Sequence, residues 1–108
     1  FAVILYQGVR MDYSVSGDSV HISWFKGVNI SRRDIKDVVI LEDRPNMSKV
    51  VGVDLFNIRA GTYQLEGIGN VRMYAGDIKR KLVLVKTDGT TYCITPKDPE
   101  KFKSMLGY

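Results

Sequence analysis

A chain of 108 residues with 44% apolar side chains is long enough to bury a hydrophobic core and does not need a second domain. Its 16 Lys and Arg against 12 Asp and Glu leave a net charge of +4, too small an excess, with acidic residues interspersed throughout, to argue for a nucleic-acid-binding surface. The single cysteine, Cys93, excludes an intrachain disulfide and, lying inside an apolar strand pattern, reads as a small buried hydrophobe.

The chain opens on Phe1-Ala2-Val3-Ile4-Leu5-Tyr6, apolar without a break ahead of Gln7-Gly8. Six residues are too few to cross a bilayer, which takes about 20. Residues 1–8 are therefore read either as the end of a membrane helix or signal segment, or as a buried first strand; residues 9–108 form one domain. The anchored alternative expects about 12 to 16 further apolar residues upstream.

From Val9 to Phe25 two strand patterns flank Ser16-Gly17-Asp18, with Met11, Tyr13 and Val15 alternating on one strand and Val20, Ile22 and Trp24 on the other. Val28–Ser31 and Ile35–Glu42 continue the series after Lys26-Gly27 and Arg32-Arg33-Asp34, as a meander would. Residues 43–60 carry a Pro-Asn turn signal and no sustained alternation, so they are expected to be a long crossing segment packed over an open end of the sheet. Thr62–Leu65 and Asn70–Ala75 flank Glu66-Gly67-Ile68-Gly69 as two more strands. Leu82–Thr87 and Thr91–Thr95 enclose Asp88-Gly89, a dipeptide suited to a tight hairpin turn.

After Thr95 the pattern becomes helical. Asp98 suits an N-cap, Pro99 the first helical position and Gly107 the helix end, while Phe102, Met105 and Leu106 share one face. A short helix with one apolar stripe has to lie on the sheet before it. The chain is thus expected to be a β-structure closed by a C-terminal helix.

The strand order and the helix together resemble a pleckstrin-homology domain. More specifically, Gly61-Thr62-Tyr63, Gly67-Ile68-Gly69, Val71-Arg72-Met73-Tyr74-Ala75, Val83-Leu84-Val85-Lys86-Thr87 and, above all, Ile94-Thr95-Pro96-Lys97-Asp98-Pro99-Glu100-Lys101-Phe102 resemble the C-terminal half of a bacterial PH-like family. Ile35-Lys36-Asp37-Val38 resembles its first half more loosely. The resemblance implies an all-β, PH-like bent antiparallel sandwich or partly open barrel of about seven strands with a C-terminal capping α-helix. Many members are small membrane-associated proteins with no assigned activity, which implies the same setting here.

No catalytic constellation stands out. His21, the only histidine, lies mid-strand between Val20 and Ile22 and reads as structural; no paired base, nucleophile or metal-ligand spacing accompanies it. Gly67-Ile68-Gly69 does not open a helix and so makes no phosphate loop. No catalytic residue, cofactor or metal is assigned.

The expected function is a non-catalytic interaction or scaffolding module of a membrane-associated protein that binds protein partners or itself through sheet edges and residues 43–60. Arg32, Arg33, Lys36, Lys79, Arg80 and Lys81 are the candidate contacts to a partner or to a weakly bound anionic membrane. Lys97, Lys101 and Lys103 add charge on the helix side. The first hairpin loop, Ser16-Gly17-Asp18-Ser19, has no basic residue, so specific phosphoinositide recognition is not expected. The alternative is a small-ligand-binding or enzymatic domain with a pocket between the sheets or under residues 43–60, using Tyr63, Tyr74 or Arg72 as polar contacts.

Overall fold

The computed structural model describes residues 12–23, 27–55 and 57–108; the opening apolar run Phe1–Tyr6, Met11 and Trp24 lie outside the described residues. Among the described residues the elements are, in order, β1 (Asp12–Val15), β2 (Ser19–Ser23), β3 (Val28–Ser31), a 3-10 turn (Arg32–Asp34), β4 (Ile35–Ile40), β5 (Met47–Leu55), β6 (Ile58–Leu65), β7 (Gly69–Ala75), β8 (Val83–Thr87), β9 (Thr91–Ile94) and α1 (Pro99–Met105). The chain is mostly β with a C-terminal helix, as a PH-like sandwich requires. β1-β2-β3 form one antiparallel sheet, and the second has six strands in the order β4-β8-β9-β7-β6-β5. The β8–β9 hairpin inserts between β4 and β7, so β7 and β9 run parallel and the up-and-down order ends there.

The middle of the six-stranded sheet is buried on both faces, which explains the unbroken apolar run Leu82-Val83-Leu84-Val85 leading into and along β8. Val83, Val85, Ile94 and Tyr74 pack on one side with Val20, Ile22 and Ile30 of the small sheet and with Phe102 and Leu106 of the helix. On the other side Leu84, Cys93, Met73, Val71, Tyr63 and Leu65 form a second core joined by Val39, Leu41 and Met47. Burial there pushes the Cys93 thiol up to about 12, so it is held neutral.

Residues from both edge strands of this sheet meet in the second core, and chain geometry explains why. The ladder places Ile40 level with Val53 through Val83, Ile94, Tyr74 and Ala60. In a flat sheet, five strand spacings and six residues along the strand would put Ile40 about 31 Å from Met47. The seven Cα steps joining them reach about 25 Å at most. The sheet must therefore curl, bringing β4 towards β5.

This corrects the expectation for residues 43–60. The crossing part is only Leu41–Asn46, and the remainder is the nine-residue strand β5 with the turn and start of β6. Alternation was hidden by a bulge between Lys49 and Val51, where Val50 has no partner on β6. Val50, Val51 and Val53 are exposed, and among the described residues β5 is an outer strand, paired on one side by β6.

The helix matches its sequence signals. The Asp98 side chain accepts from the Lys101 amide at 3.1 Å, and Pro99 occupies the first turn. At the other end, Gly107 adopts φ 81°, and the amides of Gly107 and Tyr108 return to the carbonyls of Ser104 and Lys103 at 2.9 and 3.2 Å. Phe102 and Leu106 are buried, but Met105 is 48% exposed. At 3.6 residues per turn Met105 stands about 100° round the helix from Leu106, at the margin of the face that Phe102 and Leu106 bury.

The two sheets are also joined by a polar hub. Tyr13 on β1 donates from its hydroxyl to the Tyr74 carbonyl at 2.5 Å and accepts from the Gly76 amide at 2.9 Å. Thr95, fully buried, lies 3.3 Å from the same hydroxyl and accepts from the Asp77 amide at 3.1 Å.

Candidate functional site

The small sheet has edge strands of four residues, β1 and β3, and α1 packs near β4; β5 is by contrast a nine-residue edge. The ladder fixes which way its side chains point. Val51 and Val53 stand opposite Thr62 and Ala60 on one face, whereas Lys49, Gly52 and Asp54 stand opposite Tyr63, Gly61 and Arg59 on the other. The bulge at Val50 is what puts Lys49 on the same face as Gly52 and Asp54.

On that second face Asp54 is the centre of a polar cluster. Tyr63 donates its hydroxyl to the Asp54 carboxylate and lies 3.2 Å from the Val53 carbonyl; Arg59 and Lys49 approach at 3.4 and 3.6 Å. The Tyr63 hydrogen bond, followed by the two cations, holds the Asp54 carboxyl below the usual carboxylate range. Burial, followed by the Asp54 charge, pushes the Tyr63 hydroxyl far above its ordinary value. Both groups are thereby held in their usual forms at neutral pH, Asp54 as the carboxylate and Tyr63 as the neutral phenol.

The candidate basic residues separate into two groups. Ile35 pairs with Thr87 and Ile40 with Val83, so Arg32, Arg33 and Lys36 lie at one end of β4 and Lys79, Arg80 and Lys81 beyond the other, about 17 Å away along the strand. Arg32 is engaged structurally: its guanidinium donates to the carbonyls of Ser16, Gly17 and Met105 at 3.2, 3.4 and 3.5 Å, holding the first hairpin turn to the helix end. Arg33 and Lys36 are exposed.

At the other end, Arg44 joins Lys79, Arg80 and Lys81 around an open hollow of about 260 Å³ that also includes Leu41, Glu42 and Leu82. Arg80 donates to the Thr95 carbonyl at 3.2 Å and lies 3.8 Å from Asp77; Lys81 bonds Glu42 at 2.8 Å, which pushes its amine up. Arg44 donates to the Ile78 carbonyl, 34 residues away in sequence, so sequence clustering had no means of finding it.

The residues of the ligand-pocket alternative do not converge. Tyr63 belongs to the second core, whereas Tyr74 packs in the first, stacked on Tyr92 at 6.4 Å and bonded at its hydroxyl by Arg72 at 3.1 Å. They lie on opposite faces of one sheet. His21 bonds Asn29 across the β2–β3 ladder at 2.7 Å, a structural pairing. Among the described residues, no group of three or more His, Cys, Asp or Glu side chains comes together, and no helix is long and apolar enough to cross a membrane.

A family profile described as Bacterial PH domain matches residues 11–108. The chain belongs to the bacterial PH domain family. Comparison with curated proteins gave no match, and neither did comparison with solved structures. PH-like domains are generally non-catalytic, and the family suggests a module for interaction. Among the described residues of this bacterial PH domain, β5 is the longest sheet edge, and Arg44 lies with three further basic residues around one hollow.

Proposed function

We propose that this bacterial PH domain is a non-catalytic interaction module of a membrane-associated protein, and that it docks protein partners by strand addition at the outer edge of β5. The observation that carries this reading is the length and character of that edge. Proteins blunt exposed edges by keeping strands short or by placing charge, proline or bulges on them. β5 runs for nine residues with Val50, Val51 and Val53 exposed at 60%, 67% and 46%; two charges, Lys49 and Asp54, and one bulge oppose pairing, and those charges neutralise each other at 3.6 Å. A partner strand would satisfy its free backbone groups and cover the valines together.

A second, weaker contact with anionic lipid is favoured by the gathering of Arg44 with Lys79, Arg80 and Lys81, each basic residue near such a surface contributing about 1 kcal/mol. Arg33 and Lys36, at the far end of β4, belong to a separate patch. One experiment addresses both contacts. A photo-crosslinking side chain at Val51 of the full-length protein in its own cells is expected to yield protein adducts, and one at Lys79 lipid adducts. The same side chain at Gly17, in the β1–β2 turn of the other sheet where nothing lies within 4 Å of a Cβ, should yield neither. Equal protein adducts at Val51 and Gly17 would remove the case for β5, and no lipid adduct at Lys79 would remove the membrane contact.

A further inference from the structure

We infer that the partner strand at the β5 edge is β5 of a second copy of this chain, running antiparallel about a two-fold axis through Gly52. The inference rests on the reading that β5 is the docking edge, and goes beyond it by naming the occupant and the register. In a two-fold pair the same edge meets itself, so it must be complementary to its own reversal. β5 meets that condition on both faces.

With Gly52 opposite Gly52 of the second copy, Val51 stands opposite Val53 of the second copy, and Val53 opposite its Val51. These side chains share one face, the face of Thr62 and Ala60. Two apolar cross-strand pairs form there from valines that are otherwise 67% and 46% exposed. On the other face Asp54 meets the bulge that carries Lys49 of the second copy. The bulge is necessary to this match: were Val50 an ordinary ladder residue in an unbulged strand, Lys49 would share the face of Val51 and Val53 and leave Asp54 with no opposite charge. Asp54 and Lys49 are already 3.6 Å apart within one chain, so the paired edges would join two such ion pairs into an alternating four-charge group. At the axis, glycine presents no side chain to hold the two backbones apart.

A single added ladder buries less than the roughly 1,200 Å² of the smallest stable interfaces. The pair should therefore be weak, dissociating in the range of roughly 10 µM to 1 mM. Both copies held on one membrane would associate more readily by effective concentration.

Sedimentation equilibrium of the 108-residue chain across that range tests the inference. A monomer–dimer equilibrium is expected, weakened tenfold or more by Val51→Lys, whose exposed position leaves folding intact. The register is tested by charge reversal. Lys49→Glu alone and Asp54→Lys alone each set like charges against one another in their own dimers and should be monomeric, whereas an equimolar mixture of the two should associate. Thermal melts of both variants establish that they are folded. A chain that stays monomeric to 1 mM, a dimer indifferent to Val51→Lys, or folded charge variants that fail to associate on mixing would each overturn the self-pairing. Crosslinks from Val51 exclusively to a different protein would overturn it too while leaving the docking edge in place. Absence of Val51 adducts would remove both.

Discussion

Replacing Gly61 by alanine is expected to lower the midpoint of thermal unfolding by roughly 12–24 °C, the shift that a loss of about 3 kcal/mol produces in a domain of this size. Gly61 and Gly52 face each other across the β5–β6 ladder, at φ 129° and 153°, both outside the range that side chains favour. A Cβ on Gly61 would run into the Val51 carbonyl and come within 2.5 Å of the Gly52 Cα; one on Gly52 would run into the Ala60 carbonyl and come within 2.9 Å of the Gly61 Cα. The obstacles are backbone atoms, which cannot swing aside as a side-chain tip can. Relief requires the two strands to part where β5 is held by β6 alone. Gly17→Ala is the control, because nothing lies within 4 Å of a Cβ there. Circular dichroism melts that place Gly61→Ala within a few degrees of Gly17→Ala would show that the strands are less closely apposed than described.

Tyr13→Phe is expected to cost about 2 kcal/mol, seen as a lower denaturation midpoint in urea with unchanged slope. The loss of one hydroxyl leaves the Gly76 amide without its acceptor and the Tyr74 carbonyl without that donor. Thr95→Val, which removes the acceptor for the Asp77 amide, should cost a similar amount. Because both groups serve one hub, the double substitution should fall short of the sum by at least about 0.5 kcal/mol; strict additivity would show that they act independently. The alkaline limb supplies a second readout. Burial raises the Tyr13 hydroxyl above its ordinary 10.0, so the folded state favours the neutral form. The corresponding stability is fully present below pH 10 and is lost as pH rises through the folded-state value. Tyr13→Phe should flatten that part of the decline, leaving the share due to Tyr63, which is shifted in the same direction.

What was legible in the sequence was local. Asp88-Gly89 between β-branched runs marked the β8–β9 hairpin, and Asp98, Pro99 and Gly107 marked the helix and both its ends, because turn and cap chemistry acts over a few residues. β5 was not legible for an equally local reason. Its bulge at Val50 breaks the two-residue period, Gly52 interrupts it again, and Pro45-Asn46 suggests a loop just ahead of the strand. Arg44 at the basic hollow and Tyr13 at the hub depend on partners 34 and at least 61 residues away, which no spacing rule reports. The separation of the two basic clusters follows from the register of β4 on β8, equally invisible before pairing is known.

Docking at β5 is tested most directly by hydrogen exchange of backbone amides, comparing the protein in its own cells with the dilute, purified 108-residue chain. Slowed exchange within Met47–Leu55, with the Asp88-Gly89 turn unchanged, is the predicted result. Identical exchange in β5 under both conditions would contradict it, since an added strand cannot pair with that edge without protecting its outward amides.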